Sequence, residues 1–396
     1  MKIALLTEKY TPDIGGLAIS SERLACLLTS AGYEVRVFSP TFSLPPSEQR
    51  TLPSSGVVVT RFGTRFDTRK RADDTLVDWL DLITEEHARE PFDILHAYFL
   101  TQAGFIATLA GRYLNIPSVV SIRGNDVDRA AFDPARFSHT MFALQNANVV
   151  TANAKESIRK AKAFFDREII LIPNSVDTNH FKPMGKNLAL LESLGLERKR
   201  KEERSVSGKW IVESDEAVIG FVGELREKKG LKTLLSAYAQ INAKRLSTLL
   251  IVGEVRHGED SQTVEEMRAS NPESKIIVTG YVSPSDLPAY YSLIDVFVHP
   301  SIHDGMPNAI LEAMACEKAI IATPVGGIKD IVENGKNGML VSVNDANALA
   351  EKILELLDDR EKCESLGKSA REFVMSKFKP EAELMANLEV YRKLGL

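Results

Sequence analysis

Ala217-Val218-Ile219-Gly220-Phe221-Val222 is an unbroken apolar run, and it is followed at once by Gly223-Glu224-Leu225-Arg226-Glu227-Lys228-Lys229-Gly230. Beyond Gly230 the apolar residues Leu231, Leu234, Leu235, Tyr238 and Ile241 recur at helical spacing. A run too apolar to have a solvent face, a polar turn and an amphipathic helix together read as one unit of a parallel α/β sheet.

The same unit repeats in both directions. Apolar runs at 3–6, 35–38, 57–60, 94–95, 118–122, 149–151 and 169–172 precede it, and runs at 248–252, 276–279, 296–299, 319–323 and 339–341 follow. Helix-period segments lie between most of them, the first bearing Ile19, Leu24, Leu27 and Leu28 and stopped by Gly32. Strand and helix in alternation predict parallel sheets covered by helices on both faces. The alternation breaks at 188–216, where 197–204 is a dense charge run that reads as a solvated helix or loop. Two doubly wound halves with a hinge near 173–216 result. Ligands of such sheets bind at the carboxyl ends of strands, so two halves facing across a cleft would place the chemistry there.

Composition removes several classes of function. In 396 residues the hydrophobic share is 44% and the charged share 26%, as in ordinary globular chains. The net charge is −5, and residues 1–173 carry twenty basic and twenty acidic side chains. Neither half is a basic nucleic-acid or membrane lobe. Cys26, Cys316 and Cys363 are far apart, which excludes a disulfide scaffold and a cysteine zinc site and fits a reducing compartment. The first run meets Glu8 and Lys9 too soon for a signal peptide. No run approaches the ~18 apolar residues of a membrane span. The expectation is a cytoplasmic protein.

Motifs that are missing narrow the chemistry further. No GxGxxG follows the first strand, so no nicotinamide cofactor is indicated. Gly367-Lys368-Ser369 resembles the end of a phosphate loop, but Lys362 stands where its first glycine belongs. HExxH and GxSxG are absent, and the seven histidines are scattered. Neither metal nor cofactor is expected.

Four constellations remain. Pro12-Asp13-Ile14-Gly15-Gly16 joins the first strand to the first helix, where paired glycines allow close backbone approach and helix-start N–H groups face an anion. A tight turn is its plain alternative. Arg226 and Lys229 lie at the carboxyl end of a strand and before a helix, placed to neutralise phosphates. In His299-Pro300-Ser301-Ile302-His303-Asp304-Gly305-Met306-Pro307-Asn308-Ala309-Ile310-Leu311-Glu312, Asp304 sits in a loop after a strand and Pro307 suits the next helix start. Asn308 and Glu312, four apart, share a helix face while Ile310, Leu311 and Met314 turn to the core. These groups can converge on a polyhydroxylated, phosphorylated ligand. Gly326-Gly327 supplies a second paired-glycine turn.

In these motifs the chain resembles the retaining GT-B glycosyltransferases, specifically glycosyltransferase family 4. The likeness runs almost end to end. It is carried by Gly15-Gly16, Pro173-Asn174-Ser175-Val176-Asp177 with Phe181 and Pro183, Lys229-Gly230, Asp304 to Glu312, and Gly326-Gly327. The resemblance implies two Rossmann-like domains facing across a cleft. Residues 1–173 would form an acceptor-binding domain, joined by a last helix at 380–396 that crosses back. Residues 174–379 would form a nucleotide-sugar-binding domain, with a charged linker or insertion around 188–216.

The implied activity is metal-independent transfer of a sugar from a nucleotide-diphosphate-sugar to a hydroxyl of a glycan, lipid or small molecule, a hexosyltransferase reaction with retention. A GT-B-fold nucleotide-sugar isomerase and a catalytically silent sugar-nucleotide-binding subunit are the alternatives. By the resemblance, Gly15 and Gly16 border the donor diphosphate and Lys229 binds its phosphates. Glu312 holds the ribose and Asp304 the transferred sugar. Backbone at Asn308 and Ala309 meets sugar and phosphate, and backbone at Tyr281 and Val282 meets the base.

Three positions depart from the family pattern. Asp304 stands where a Glu is usual, and Glu224 where a phosphate-binding Arg usually follows the glycine, with Arg226 its substitute candidate. In Ser121-Ile122-Arg123-Gly124-Asn125-Asp126, Arg123 replaces a histidine. Arg123, Asn125 and Asp126 are acceptor-side candidates, and Asp126, which keeps the carboxylate, joins Asp304, Glu312, Lys229 and Arg226 as the catalytic candidates. Finally, Arg61, Arg65, Arg69, Lys70 and Arg71 form a basic stretch, a candidate contact for an anionic acceptor or the inner membrane face, with a solvated loop as the plain alternative.

Overall fold

The computed structural model describes residues 1–46, 48–54, 56–64, 73–124, 126–130, 132–196, 203–204, 210–211 and 216–396. The chain forms two compact units: Met1–Ser175 with Pro380–Leu396, and Val176–Lys379.

Unit 1 is built on an eight-stranded sheet. Its strands are β1 (Lys2–Leu6), β2 (Glu34–Thr41), β3 (Gln49–Ser54), β4 (Val57–Gly63), β5 (Ile94–Ala97), β6 (Ser118–Ile122), β7 (Val149–Ala152) and β8 (Ile170–Leu171), in the order β3-β4-β2-β1-β5-β6-β7-β8. All neighbours are parallel except β3 on β4. Alternate residues of β1 serve opposite cores. Ile3 and Leu5 pack with Leu24 and Leu28 of the helix Gly16–Ser30, whereas Ala4 and Leu6 pack with Trp79 and Ile106. That two-sided burial is why the run carries no polar residue.

Strand β3 lies outside the periodicity reading. Its residues Gln49-Arg50-Thr51-Leu52-Pro53-Ser54 are almost all exposed, and its order comes from antiparallel pairing with β4 at the sheet edge, where proline is tolerated.

Unit 2 carries a six-stranded, fully parallel sheet. A short antiparallel pair, β9 (Glu203–Arg204) with β10 (Trp210–Ile211), precedes it. The sheet comprises β11 (Ala217–Val222), β12 (Ser247–Val252), β13 (Lys275–Val278), β14 (Val296–His299), β15 (Ala319–Ala322) and β16 (Met339–Leu340), ordered β13-β12-β11-β14-β15-β16. Ile219 and Phe221 face one core and Val218 and Val222 the other.

The stretch read as a linker from 188 begins instead with structure that belongs to unit 2. Asn187 accepts Leu190 N–H at 3.1 Å and caps the helix Leu188–Ser193. Leu190, Leu191, Leu194 and Leu196 then pack into the core of that unit. Most of the charge run at 197–204 lies outside the described residues.

In both sheets the strand order reverses beside the first long strand, between β1 and β5 and between β11 and β14. Loops leaving neighbouring strands in opposite directions open a crevice at such a point, and ligands bind there. Among the described residues no helix is long and apolar enough to cross a membrane.

Candidate active site

At the β11/β14 switch point of unit 2 two loops lie backbone against backbone. A single 3-10 turn, Glu227–Lys229, follows β11 and ends at Gly230 with φ +80°. A Cβ at Gly230 would sit 2.0 Å from the Pro300 carbonyl oxygen, so only glycine lets the loops meet. The Ile302 N–H donates to the Lys228 carbonyl at 2.9 Å. This contact brings Lys229 onto Asp304.

Asp304 is the centre of the site. Its Oδ2 receives the Lys229 ammonium, His299 Nε2 at 2.8 Å and Ser301 Oγ at 3.4 Å. Its Oδ1 accepts the Gly305 amide at 3.0 Å. Burial alone would raise the carboxyl pKa, but the Lys229 charge and the His299 hydrogen bond hold it well below the usual carboxylate range. The side chain is therefore an anion at all ordinary pH. On the far side Gly326, at φ +52°, passes so close that a Cβ would lie 1.8 Å from the Asp304 carbonyl oxygen. Gly327 N–H donates to Gly305 O at 2.5 Å. The second glycine pair thus clamps the acidic loop.

Glu312 lies on the helix Asn308–Ala315 and is buried. Tyr291 donates its hydroxyl to Glu312 Oε2 at 2.8 Å and also approaches Ala309 O at 3.1 Å. Ile310, Leu311 and Met314 turn into the core, as their spacing predicts. Arg226 stands at the start of the 3-10 turn with Nη1 3.4 Å from Glu224. Tyr281 is exposed and Val282 packs on the core of the unit. The loops beneath them are pinned where Gly253 N–H donates to Thr279 Oγ1 at 3.0 Å.

In unit 1, Gly15 (φ +133°) immediately precedes the helix that begins at Gly16. The preceding loop is anchored by Asp13, whose two carboxylate oxygens each lie 2.9 Å from Arg61 Nη2. Arg61 also donates to the Tyr10 and Pro40 carbonyls. It is an internal fastener rather than part of a ligand-facing basic patch. Arg65, Arg69, Lys70 and Arg71 lie outside the described residues, as does Asn125.

The two remaining acceptor-side candidates turn inward. Arg123 lies with its guanidinium 4.2 Å from the Tyr98 ring centroid, donates to Asn174 Oδ1 at 3.1 Å and faces Glu383 at 3.9 Å. Its buried charge is thus matched within the fold. Asp126 is fully buried, accepting the Leu100 and Arg123 amides on Oδ2 at 3.2 and 3.0 Å and the Val127 amide on Oδ1. Burial pushes its pKa up to about 6 against the pull of those amides. The bonds tie the loops after β5 and β6 together, which is a structural use of a carboxylate named above for catalysis.

His299 and Tyr291 contact the candidate carboxylates Asp304 and Glu312, and local sequence pattern does not reveal either contact. Val-Phe-Val-His reads as strand, and nothing near Tyr291 in the chain points to Glu312. Among the described residues no group of three or more His, Cys, Asp or Glu is placed to hold a metal.

Comparison with known proteins agrees with this architecture. Residues 14–180 match the family described as Glycosyltransferase Family 4, and residues 202–373 the family described as Glycosyl transferases group 1. The chain is 24% identical to the N-acetyl-alpha-D-glucosaminyl L-malate synthase of Bacillus anthracis over 93% of its length and 92% of that protein's. It is 27% identical to a GDP-mannose-dependent alpha-mannosyltransferase of Corynebacterium glutamicum, covering 92% and 83% respectively. The solved sucrose-phosphate synthase of Thermosynechococcus elongatus superposes with a TM-score of 0.82 at 23% identity, covering 99% and 98% of the two chains.

Proposed function

The chain belongs to the family 4 glycosyltransferases, GT-B hexosyltransferases that use nucleotide-sugar donors, and from that premise we propose that it transfers the sugar with retention, without a metal, from a donor held at the β11/β14 switch point of unit 2. The observation that carries the reading is the meeting of Lys229 and Asp304 across that switch point, with Glu312 one turn into the next helix.

The roles follow from charge. A nucleoside diphosphate leaves easily only if its growing negative charge is neutralised. Lys229 and Arg226 supply fixed cations, and the N-terminus of the helix Asn308–Ala315 adds its dipole. Asp304 is an anion and accepts hydrogen bonds only, which suits sugar hydroxyls, and the Glu312 carboxyl is placed to accept from the ribose hydroxyls. In the transfer, the bond from the anomeric carbon to the β-phosphate oxygen breaks. The acceptor oxygen bonds to the same face of that carbon, and the acceptor proton passes to the departing phosphate. No protein base is required. The two relatives carry different donors or acceptors in their names, so the class of donor transfers to this chain and its base and sugar do not.

Thermal denaturation against UDP-, GDP- and ADP-sugars tests the reading. A donor at ~100 times its Kd should stabilise the native chain by about 2.7 kcal/mol, and Glu312→Ala should lose the shift. The product's anomeric configuration, read by NMR with chelator present, decides the mechanism. An inverted anomer or activity abolished by chelation would refute it, and indifference to every nucleotide-sugar would remove the donor site.

A further inference from the structure

We propose that His299 is a positioning residue that holds Asp304 by one carboxylate oxygen, Oδ2, and so presents the other, Oδ1, to a hydroxyl of the transferred sugar. The proposal rests on the donor reading above and adds a residue to it.

The imidazole plane is fixed. His299 ends β14, is 2% exposed, and lies nearly parallel to the rings of Phe221 (centroids 5.8 Å, 11° between planes) and Phe297 (6.3 Å, 17°). Burial beside these rings and the bond to Asp304 limit its rotation. The polar contact of the ring among the described residues is Nε2 to Asp304 Oδ2 at 2.8 Å.

The proton positions follow by elimination. Asp304 is ionised and can only accept, so Nε2 carries the hydrogen. Nδ1 is buried with no partner among the described residues, and a second proton there would make a buried cation beside Lys229. The ring therefore stays neutral, with its one basic nitrogen turned away from the carboxylate. It acts as a rigid donor and not as a base.

The two oxygens of Asp304 end up unequal. Oδ2 takes Lys229, His299 and the longer Ser301 contact. Oδ1 has the Gly305 amide as its described partner, leaving a lone pair for a ligand. If Lys229 shifts toward a diphosphate, His299 is the group that keeps the carboxylate from turning.

The test compares the native chain with His299→Phe, which keeps the flat ring and loses the donor, and with His299→Gln, which restores an N–H at the Nε2 position. UDP-glucose and GDP-mannose are titrated beside UDP and GDP. His299→Phe should weaken the sugar nucleotide about tenfold while leaving the plain nucleotide within about twofold, and His299→Gln should recover most of the difference. Equal weakening of both ligands, or no weakening, overturns the proposal. Histidine 15N NMR of the native chain tests the tautomer without any ligand. A neutral Nε2–H ring across pH 6–8 is expected, and an imidazolium or an Nδ1–H ring overturns the assignment. Should the native chain bind no sugar nucleotide, the donor reading fails while the spectrum still decides the tautomer. If His299→Phe does not fold, His299→Gln and the spectrum carry the test.

Discussion

Glu224 grips Arg256 with both oxygens, Oε1 to Nε at 3.1 Å and Oε2 to Nη2 at 3.2 Å. The loops after β11 and β12 are zipped together to allow it, Leu225 N–H donating to Glu254 O at 2.8 Å and Arg256 N–H to Leu225 O at 3.0 Å. The same carboxylate lies 3.4 Å from Arg226. An anion at the end of β11 thus arrives with two cations around it. Glu224→Gln removes the anion and leaves the cations, so UDP or GDP should bind roughly threefold more tightly at low salt. The gain should fade by about 0.5 M salt, because the groups are half-exposed and screened. Titration at two ionic strengths checks this, and weaker binding at low salt would contradict it.

Lys229 and Asp304 predict an acid limb. Removing Lys229 as Lys229→Met strands a mostly buried carboxylate and should cost about 1–3 kcal/mol of stability as well as diphosphate affinity. Asp304 has a folded pKa below its unfolded one. Its stabilisation is therefore fully present above the unfolded value near ~4 and is lost progressively as pH falls from there towards the lower folded value. Urea denaturation should show native and Asp304→Asn chains far apart at pH 7 and converging below pH ~4.

The last helix should come loose when Glu383 is replaced. Glu383, Asn387 and Tyr391, spaced at four, put one buried polar stripe of the helix Pro380–Lys393 against the rest of unit 1. Glu383 Oε2 accepts from Arg23 at 2.9 Å and from the Ser175 hydroxyl at 2.6 Å, and Oε1 faces Arg123. Burial works against the ionised form, yet the two arginines hold the pKa below normal. Glu383→Ala leaves Arg123 buried and uncompensated, at a cost of about 3–5 kcal/mol. Hydrogen exchange over 380–393 should accelerate sharply. Unchanged protection there would show that apolar packing alone docks the helix.

How far the sequence was legible follows the same division between local and distant causes. Both sheets could be read because their strands are buried on two faces and so appear as uninterrupted apolar runs, β11 above all. Strand β3 could not, since one leucine and a proline among polar residues carry no period and only pairing with β4 orders them. Asp304, Lys229 and Glu312 stand beside strand ends or helix starts, where local pattern exposes them. Tyr291 reaches Glu312, and Glu383 reaches Arg123, through the fold alone, so Arg123 looked like a ligand contact when its counter-charge lay far along the chain.

His96 should make the fold acid-sensitive well above the range of Asp304. It is fully buried on β5, with Nδ1 2.6 Å from the Tyr391 hydroxyl and Nε2 2.8 Å from Ser121 Oγ, which in turn lies 2.7 Å from Thr151 Oγ1. Burial, helped by the Arg123 charge, pushes its pKa down to about 3. In the unfolded chain the ring takes a proton near pH ~6.5, so between ~6.5 and the folded value the unfolded state binds more protons. The contribution of the neutral ring is thus complete above ~6.5 and falls by roughly 1.4 kcal/mol for each pH unit below. His96→Gln can donate and accept at the same two places but does not titrate. It should be somewhat less stable at pH 7.5 and lose less on going to pH 5, so that the two urea midpoints approach one another. Parallel decline of both chains over that interval would mean that other groups set the acid limit, and that the bond from the last helix to His96 is indifferent to pH.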